Sequence, residues 1–409
     1  MNAPTKAAVI DREIWTGAGE ALLADTIALR RAIHEDPELG LDCPRTTEKI
    51  KAALAGLPLE FREGPSTTGL IAILRGSTNA RTVLLRGDMD ALPLEEDTGL
   101  AFRSRNDGAM HACGHDTHVA MLVGAAKALC AERERLAGTV VFMFQPGEEG
   151  WHGARFMMED GLLDDPRPDA AFALHITPNL PNGTFASRTG PLLASADQVR
   201  ITVRGAGGHA AMPHDARDPI PVACEIVTAL QSLITRRISV YDPAVLTIAK
   251  IESGTTFNVI PESALMLGTI RTLSEATRET VHEGIRRVVE HVAAAHGLVG
   301  ETEIDRGFPV TVCDGRIVAL AEQTVQAVFG AEAWRTMPTP MMGAEDFAYV
   351  LQKIPGAMAF LGATPEGGDF RTCCALHSNR MVLSEEVMAK GVALHCAFAQ
   401  AFLNGDAVV

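Results

Sequence analysis

The sequence predicts an α/β protein: a mostly parallel mixed sheet with helices on both faces, interrupted by an inserted α+β domain. Two observations carry this prediction. Short apolar runs suited to buried strands alternate with helical segments, a pattern that indicates a parallel sheet covered on both faces. The pattern changes near residue 192 and returns after residue 306, and 409 residues exceed the size of one ordinary hydrophobic core.

The first domain is expected to begin with an amphipathic helix over residues 18–35, followed by a helix that starts after Pro44. Proline suits the first turn of a helix because the N–H that it lacks has no partner there. Further helices are predicted over 115–135 and about 152–161. The buried strands are the apolar runs GLIAIL (69–74), TVLLRGD (82–88), GTVVFMF (138–144) and DAAFALH (169–175).

An inserted domain is predicted at residues 192–306. It opens with SADQVRITVRG, which alternates apolar and polar residues as a half-exposed strand does. Its other elements are two long helices (219–238 and 274–297) and the strands AVLTIAKIE and SALMLGTIRT. The later segments are the helices 314–329, 344–353 and 384–403 and the strand AMAFLG. Residues 1–191 and 307–409 would therefore form one discontinuous domain.

The composition argues against several classes of partner and location. A net charge of −15 disfavours binding to nucleic acid or to an anionic membrane surface. No apolar run reaches the roughly 18 residues of a spanning helix, and the N-terminal residues lack the apolar core of a signal peptide. A cytoplasmic protein is therefore expected. Eight scattered cysteines in so long a chain do not suit a disulfide framework.

Residues that can carry chemistry cluster at the ends of the predicted strands. Each cluster alone has an ordinary structural explanation, such as a turn, a helix cap or a solvated pair. Ligands in open α/β sheets gather at the carboxyl ends of strands, so four clusters at equivalent places favour one shared site. The clusters are Asp88 and Asp90, Cys113 and His115, Glu148 and Glu149, and His175.

The side chains in these clusters are the donors that a pair of metal ions requires. Imidazole, carboxylate and thiolate groups suit zinc, manganese or cobalt. Two such ions can activate a shared water, and one of the adjacent glutamates is then free to act as a general base. The rival is a cysteine nucleophile at Cys113 with His115 as its base. That rival leaves Glu148, Glu149 and His175 without a purpose.

Eight motifs, in this order and at this spacing, resemble one family over about residues 20–403. They are RGDMDALP, HACGHDTH, FQPGEEG, ALHITP, GGHAAMPH, TFNVIPESALMLGTIRT, MGAEDFAYVL and CALHSNR. The family is that of the dinuclear metallo-amidohydrolases typified by hippurate hydrolase, bacterial N-acyl-amino-acid amidohydrolases and plant indole-acetyl-amino-acid hydrolases. These enzymes are relatives of aminoacylase and glutamate carboxypeptidase.

The resemblance implies a role for each residue of the clusters. The metal ligands would be Cys113, His115, Glu149, His175 and His377, the last of which the residues alone leave undecided. Glu148 would take a proton from the bridging water and return it to the leaving amine. Asp88 and Asp90 would support the ligands, with Asp90 holding a ligating histidine through its other nitrogen. Asp116 and His118 would be similar supports, or else would serve the start of a helix.

The inserted domain resembles the family's lid and dimerisation domain, which implies a homodimer or homotetramer. There His209 would stabilise the oxyanion, while Asn258 and Arg271 would bind the substrate carboxylate, which suits the forked guanidinium of arginine. A glycine-rich hairpin around His209 and a surface salt bridge at Arg271 are the alternatives from the residues alone. Trp151 and His152 stand where relatives tend to be glycine-rich, so no specific substrate is transferred.

The expected function is hydrolysis of N-acyl amino acids with two divalent ions, manganese, zinc or cobalt, as cofactors. A metallo-carboxypeptidase or dipeptidase is the alternative among enzymes, and a catalytically silent metal-binding protein is the alternative outside them. The sequence leaves the acyl group, the amino acid and the native metal open.

Overall fold

The structure is a computed structural model that describes residues 10–405, and its contacts divide the chain into two compact units. The core unit comprises residues up to Leu192, Val312–Thr339 and residues from Asp346 onwards. The inserted unit comprises Leu193–Thr311 and Pro340–Glu345. The eight cysteines, all within the described residues, are free thiols. No helix in residues 10–405 is both long and apolar enough to cross a membrane.

The first part of the core unit alternates helices and strands. Its helices are α1 (Arg12–His34), α2 (Pro44–Ala53), α3 (His115–Ala131) and α4 (Gly153–Glu159). Its strands are β1 (Leu59–Glu63), β2 (Leu70–Arg75), β3 (Thr82–Asp88), β4 (Thr139–Gln145), β5 (Ala170–Thr177), β6 (Phe185–Ser187) and β7 (Gly190–Leu193).

The inserted unit is an antiparallel sheet with two long helices. Its strands are β8 (Asp197–Arg204), β9 (Gly208–His209), β10 (Ala244–Ser253), β11 (Val259–Ile260), β12 (Ser263–Thr272) and β13 (Val299–Arg306), and its helices are α5 (Pro219–Arg237) and α6 (Glu275–Ala295). The main sheet has the order β10-β12-β8-β13. Val199, Ile201 and Val203 alternate along β8 with exposed residues and join the buried core of this unit, so one face of the sheet is covered.

The chain ends with β14 (Thr311–Cys313), α7 (Gly315–Phe329), β15 (Trp334–Thr336), α8 (Ala348–Leu351), β16 (Gly356–Gly362) and α9 (Met388–Asn404). The helix predicted over 344–353 is therefore a single turn. Its first residues are used otherwise, because the carboxylate of Asp346 is fully buried and bonds Gln145 and Ala154.

The main sheet confirms the predicted fold class. Its order is β1-β2-β4-β3-β5-β16-β6-β15, and the neighbours β4-β3, β3-β5 and β5-β16 are parallel. Every residue of these four strands is buried, which requires cover on both faces and explains why most of their residues are apolar. The antiparallel pairs β1-β2, β2-β4 and β16-β6 make the sheet mixed.

Helices α1, α3 and α9 pack closely because glycines let their backbones approach. A Cβ at Gly19 of α1 would overlap the carbonyl oxygen of Ala389, and a Cβ at Gly124 of α3 would lie 2.7 Å from the side chain of Val392. Gly17, on the exposed side of α1, has no atom within 4 Å of its would-be Cβ.

We expect Gly19→Ala to lower the free energy of unfolding by about 1–3 kcal/mol, because the added methyl forces α1 and α9 apart. Gly17→Ala is the matched control in the same helix and should raise it by about 0.5–1 kcal/mol, since alanine is the better helix former. Chemical denaturation followed by circular dichroism measures both. A Gly19→Ala protein as stable as the Gly17→Ala protein would contradict this packing.

Candidate metal centre

The sheet order brings the predicted clusters to one edge of the core unit. Strands β4, β3 and β5 are parallel neighbours, so their carboxyl ends lie side by side. Asp88 ends β3, the Glu148–Glu149 pair follows β4, and His175 lies near the end of β5. Because ligands of α/β sheets bind at this edge, the convergence matches the expectation from the sequence.

Two groups of potential ligands share one cysteine. The first comprises Cys113, His115 and His175, which are all buried, and the second comprises Cys113, Glu149 and His377. Within each group the ligand atoms lie within 4.8 Å of one another. The Cys113 Sγ atom is 3.5 Å from Nε2 of His175, and Nε2 of His377 is 3.2 Å from Oε1 of Glu149. A thiolate at Cys113 can therefore serve both groups.

Backbone carbonyl groups orient the two buried histidines. Nδ1 of His115 lies 2.8 Å from the carbonyl oxygen of Asp90, and Nδ1 of His175 lies 2.7 Å from that of Ile176. Since a carbonyl only accepts, each Nδ1 carries a proton and each Nε2 faces the centre. Among the described residues, Nε2 of His115 is buried without a hydrogen-bond partner. A buried orphan atom of this kind fits a metal ion as its missing partner.

The pKa values of the potential ligands are shifted because these side chains lie close to one another and are buried. The Cys113 and Glu149 side chains raise the pKa of His377 to about 10 by accepting its hydrogen bonds. Burial opposes a charge on His115, but Asp88 and Cys113 together raise its pKa well above its ordinary value. Burial raises the pKa of the Cys113 thiol. Metal ions must displace these protons, so metal affinity should weaken as the pH falls.

Asp90 contacts both His115 and the loop of the two glutamates. Its backbone carbonyl oxygen lies 2.8 Å from Nδ1 of His115, the contact to a ligating histidine that was predicted, and its nearest carboxylate oxygen lies 3.6 Å from the same atom. The carboxylate also accepts hydrogen bonds from the backbone N–H groups of Glu148 (2.9 Å) and Glu149 (3.0 Å). These amides lie beyond the end of β4, where the sheet provides no acceptor. Asp90 thus fixes the loop that carries both glutamates.

Asp88 supports the ligands through His118. Nε2 of His118 accepts from the backbone N–H of Ile176 at 2.8 Å, so its Nδ1 carries the proton and donates to Asp88 at 2.5 Å. Both ring nitrogens of His118 are therefore engaged within the protein, although Asp88, His115 and His118 form a further group of potential ligands. Burial opposes the charge on Asp88, but Arg86 and the two histidines hold its pKa well below its usual range.

Asp116 does not support a ligand, and it forms no side-chain cap at the start of α3. Its buried carboxylate bonds Arg30 at 2.6 Å and His34 at 2.8 Å, both on α1. The motif of metal ligands is thus tied to another helix by a buried ion pair, a contact that no local pattern indicated.

His377 adopts a backbone conformation that is unusual for a histidine. Its φ is 67°, which costs an ordinary residue roughly 1–2 kcal/mol, and its N–H donates to the carbonyl oxygen of Ala112 at 2.8 Å. The bond ties its loop to the residue before Cys113. Residues 363–387 contain no strand, so His377 lies at no strand end, and sequence patterns alone did not single it out.

In the inserted unit, His209 and Asn258 lie beside one short strand pair, and Arg271 lies in a strand of the main sheet of that unit. The backbone N–H of Ala210 donates to the carbonyl oxygen of Asn258 beside the β9-β11 pair. Arg271 lies in β12, donates to Thr269 at 2.6 Å, and forms no ion pair with any described residue. The predicted salt-bridge alternative is therefore not found, and the substrate-binding roles stay predictions.

Sequence reasoning missed Arg86 and Tyr349. Arg86 is 2% exposed in the centre of β3, where it bonds Asp88, Gln145 and Asp346. A charged residue inside an apolar strand was the available signal. Tyr349 had no such signal, but its hydroxyl lies 2.9 Å from Nδ1 of His152.

Comparisons with known proteins agree with this geometry. The model for "Peptidase family M20/M25/M40" matches residues 84–401. The chain is 40% identical to N-acetylcysteine deacetylase of Bacillus subtilis (84% of this chain, 90% of that protein). It is 36% identical to IAA-amino acid hydrolase ILR1-like 2 of Arabidopsis thaliana (93% and 86%) and 38% identical to Thermostable carboxypeptidase 1 of Saccharolobus solfataricus (92% and 95%).

A solved structure gives the same result. The Bacillus subtilis YXEP protein, described as a dinuclear metal binding peptidase from the M20 family, is similar with a TM-score of 0.82 and 34% identity. The similarity covers 94% of this chain and 99% of that one. The chain therefore belongs to peptidase family M20/M25/M40 and is a metallo-amidohydrolase of that family.

Proposed function

We propose that this protein hydrolyses the amide bond of N-acyl amino acids, releasing a carboxylic acid and a free amino acid. The observation that carries the proposal is the pair of ligand groups joined at Cys113, with the buried Glu148 beside them. An Oε atom of Glu148 lies 3.9 Å from Nε2 of His115. Relatives named as a deacetylase and as an amino-acid conjugate hydrolase support the substrate class.

The cofactors are two divalent ions, one for each ligand group. Cys113, His115 and His175 would hold the first, and Cys113, Glu149 and His377 the second. The mixture of thiolate, imidazole and carboxylate donors suits zinc, manganese or cobalt better than magnesium or calcium. When bound, such a pair would polarise the acyl carbonyl of the substrate and lower the pKa of a bound water.

Glu148 is the proton carrier of the reaction. Its carboxylate takes a proton from the attacking water and returns it to the leaving nitrogen, so the products are an acid and an amine. The two hydrogen bonds from the loop amides to Asp90 fix the backbone at Glu148 and Glu149. Successive side chains of a fixed backbone point in different directions, so Glu149 can bind metal while Glu148 reaches the water.

Residues of the inserted unit recognise the substrate. His209 accepts a hydrogen bond from the N–H of Ala211 at Nδ1, so a neutral ring carries its proton on Nε2. That N–H is the donor that an oxyanion requires. Arg271, which has no carboxylate partner among the described residues, binds the amino-acid carboxylate together with Asn258.

The same unit forms the contact between subunits of a homodimer or homotetramer. Tyr241, Phe257 and Val240 are 96%, 95% and 82% exposed, which is unusual for large apolar side chains, and β10 is an edge strand of the sheet. The substrate is a small molecule, and the net charge of −15 disfavours a nucleic-acid or anionic-membrane partner. The proposed location is the cytoplasm.

A metallo-carboxypeptidase or dipeptidase is the second candidate, which the similarity to Thermostable carboxypeptidase 1 favours. We expect N-acetyl, N-benzoyl or indole-acetyl amino acids to be cleaved with kcat/KM at least about tenfold above that for free dipeptides. The assay supplies manganese, zinc or cobalt after chelation. Faster cleavage of free dipeptides would favour the second candidate, and no cleavage with any metal would favour a silent metal-binding protein.

Removing one ligand at a time should reveal the shared cysteine. His175→Ala and His377→Ala should each retain one ion per chain, because each histidine belongs to only one group. Cys113→Ala should weaken the binding of both ions. Elemental analysis after dialysis measures the number of metal ions per chain. The control is His291→Ala, at an exposed position of α6, which should keep two ions per chain. Loss of only one ion in Cys113→Ala would exclude sharing.

The adjacent glutamates should separate metal binding from proton transfer. Glu148→Gln should keep both ions and lose about 10²–10⁴-fold in kcat, since the proton carrier is gone. Glu149→Gln should lose the second ion. Metal content and kcat are measured on the same preparations. A Glu148→Gln enzyme with near-normal turnover would end this assignment.

A further inference from the structure

The loop between β4 and α4, residues 146–152, carries both glutamates of the centre, and we call it the Glu148 loop. Its backbone is tightly folded: Gly147 and Gly150 have φ values of 71° and 85°. The N–H of Gly153 donates to the carbonyl oxygen of Gly147 at 3.0 Å, and a Cβ at Gly153 would overlap the carbonyl oxygen of Pro146. Because Glu148 lies within this loop, the contacts that hold the loop also fix the position of Glu148.

One carboxylate joins the two ends of the Glu148 loop. Asp346 accepts from the side chain of Gln145, the last residue of β4, at 2.7 Å. It also accepts from the backbone N–H of Ala154, in the first turn of α4, at 2.9 Å. Arg86 donates to the same carboxylate at 3.2 Å and balances its charge. Asp346 thus replaces the cap that His152 does not provide for α4.

His152, the last residue of the loop, is held by the same segment. Its φ is 60°, a left-handed conformation that a residue with a Cβ adopts only when its surroundings enforce it. Its Nδ1 lies 2.9 Å from the hydroxyl of Tyr349, and the two rings meet edge to face with centroids 5.9 Å apart. Tyr349 is three residues beyond Asp346, and its N–H donates to the carbonyl oxygen of Asp346.

We propose that Tyr349, acting through His152, is a positioning residue that holds the Glu148 loop in its working conformation. Asp90 fixes the loop amides from one side, and the Asp346–Tyr349 segment fixes the end of the loop from the other. The hydroxyl of Tyr349 contacts His152, and the backbone N–H of Tyr349 donates to the carbonyl oxygen of Asp346. The kinetic part of this proposal rests on the proposed function of Glu148, while the conformational part does not.

Tyr349→Phe removes only the hydroxyl and should lower kcat about tenfold, the effect of losing one hydrogen bond that orients a reacting group. KM should stay within about twofold, because the residues proposed to bind the substrate carboxylate lie in the inserted unit. Thr78→Val, at an exposed position in the loop between β2 and β3, also removes one hydroxyl and is the control that should leave both constants unchanged.

Hydrogen exchange tests the loop without any turnover. In metal-free Tyr349→Phe protein, the backbone amides of residues 147–153 should exchange at least about fivefold faster than in the metal-free parent. The amides of β3 should not change, because their bonds lie within the sheet. Faster loop exchange with unchanged kcat would refute the catalytic role of Glu148 and leave the positioning intact. Unchanged loop exchange would overturn the positioning itself.

A double-mutant cycle tests the route through His152. His152→Gly removes the ring, and glycine accepts the left-handed conformation without strain, so this variant should fold even where Tyr349→Phe does not. Its kcat and loop exchange should match those of Tyr349→Phe. Adding Tyr349→Phe to His152→Gly should then change neither value further. Additive losses, or a His152→Gly protein that behaves like the parent, would overturn the proposal.

Discussion

The centre depends on one buried cation, the guanidinium of Arg86, which bonds two carboxylates from distant parts of the chain. It donates to Asp88 at 2.5 Å and to Asp346 at 3.2 Å. Asp88 is hydrogen-bonded to His118, which accepts from Ile176 near the end of β5. Asp346 is hydrogen-bonded to both ends of the Glu148 loop. Removing a single member of such a buried network leaves an uncompensated buried charge, so loss of Arg86 would destabilise both sides of the centre.

The same centre combines rigid and strained backbone. The strands beneath it are buried along their whole length and provide fixed ends. The loops above it hold His152 and His377 in left-handed conformations, and these are the only non-glycine residues with positive φ in residues 10–405. Strain at positions beside the reacting groups is stable only when neighbouring contacts hold it, and the bonds to Tyr349 and Ala112 serve that purpose.

The fold class could be predicted because the central strands are buried on both faces and most of their residues are therefore apolar. Short strands such as β6 and β15 were missed because three residues give no periodic pattern. The helix predicted over 344–353 was overestimated because the tertiary contacts of Asp346 outweigh local helix propensity.

The sequence by itself determined which residue types meet at the centre, since Cys113, Glu149 and His175 lie at strand ends or before a helix where a parallel sheet collects ligands. Only the tertiary structure decided how each residue acts. It assigned the carboxylate of Asp90 to the loop amides, Asp116 to the ion pair with α1, and Tyr349 to His152. These partners are up to about 200 residues apart in the chain. Contacts between such distant residues leave no local sequence pattern, because they form only when the folded chain brings the two side chains together.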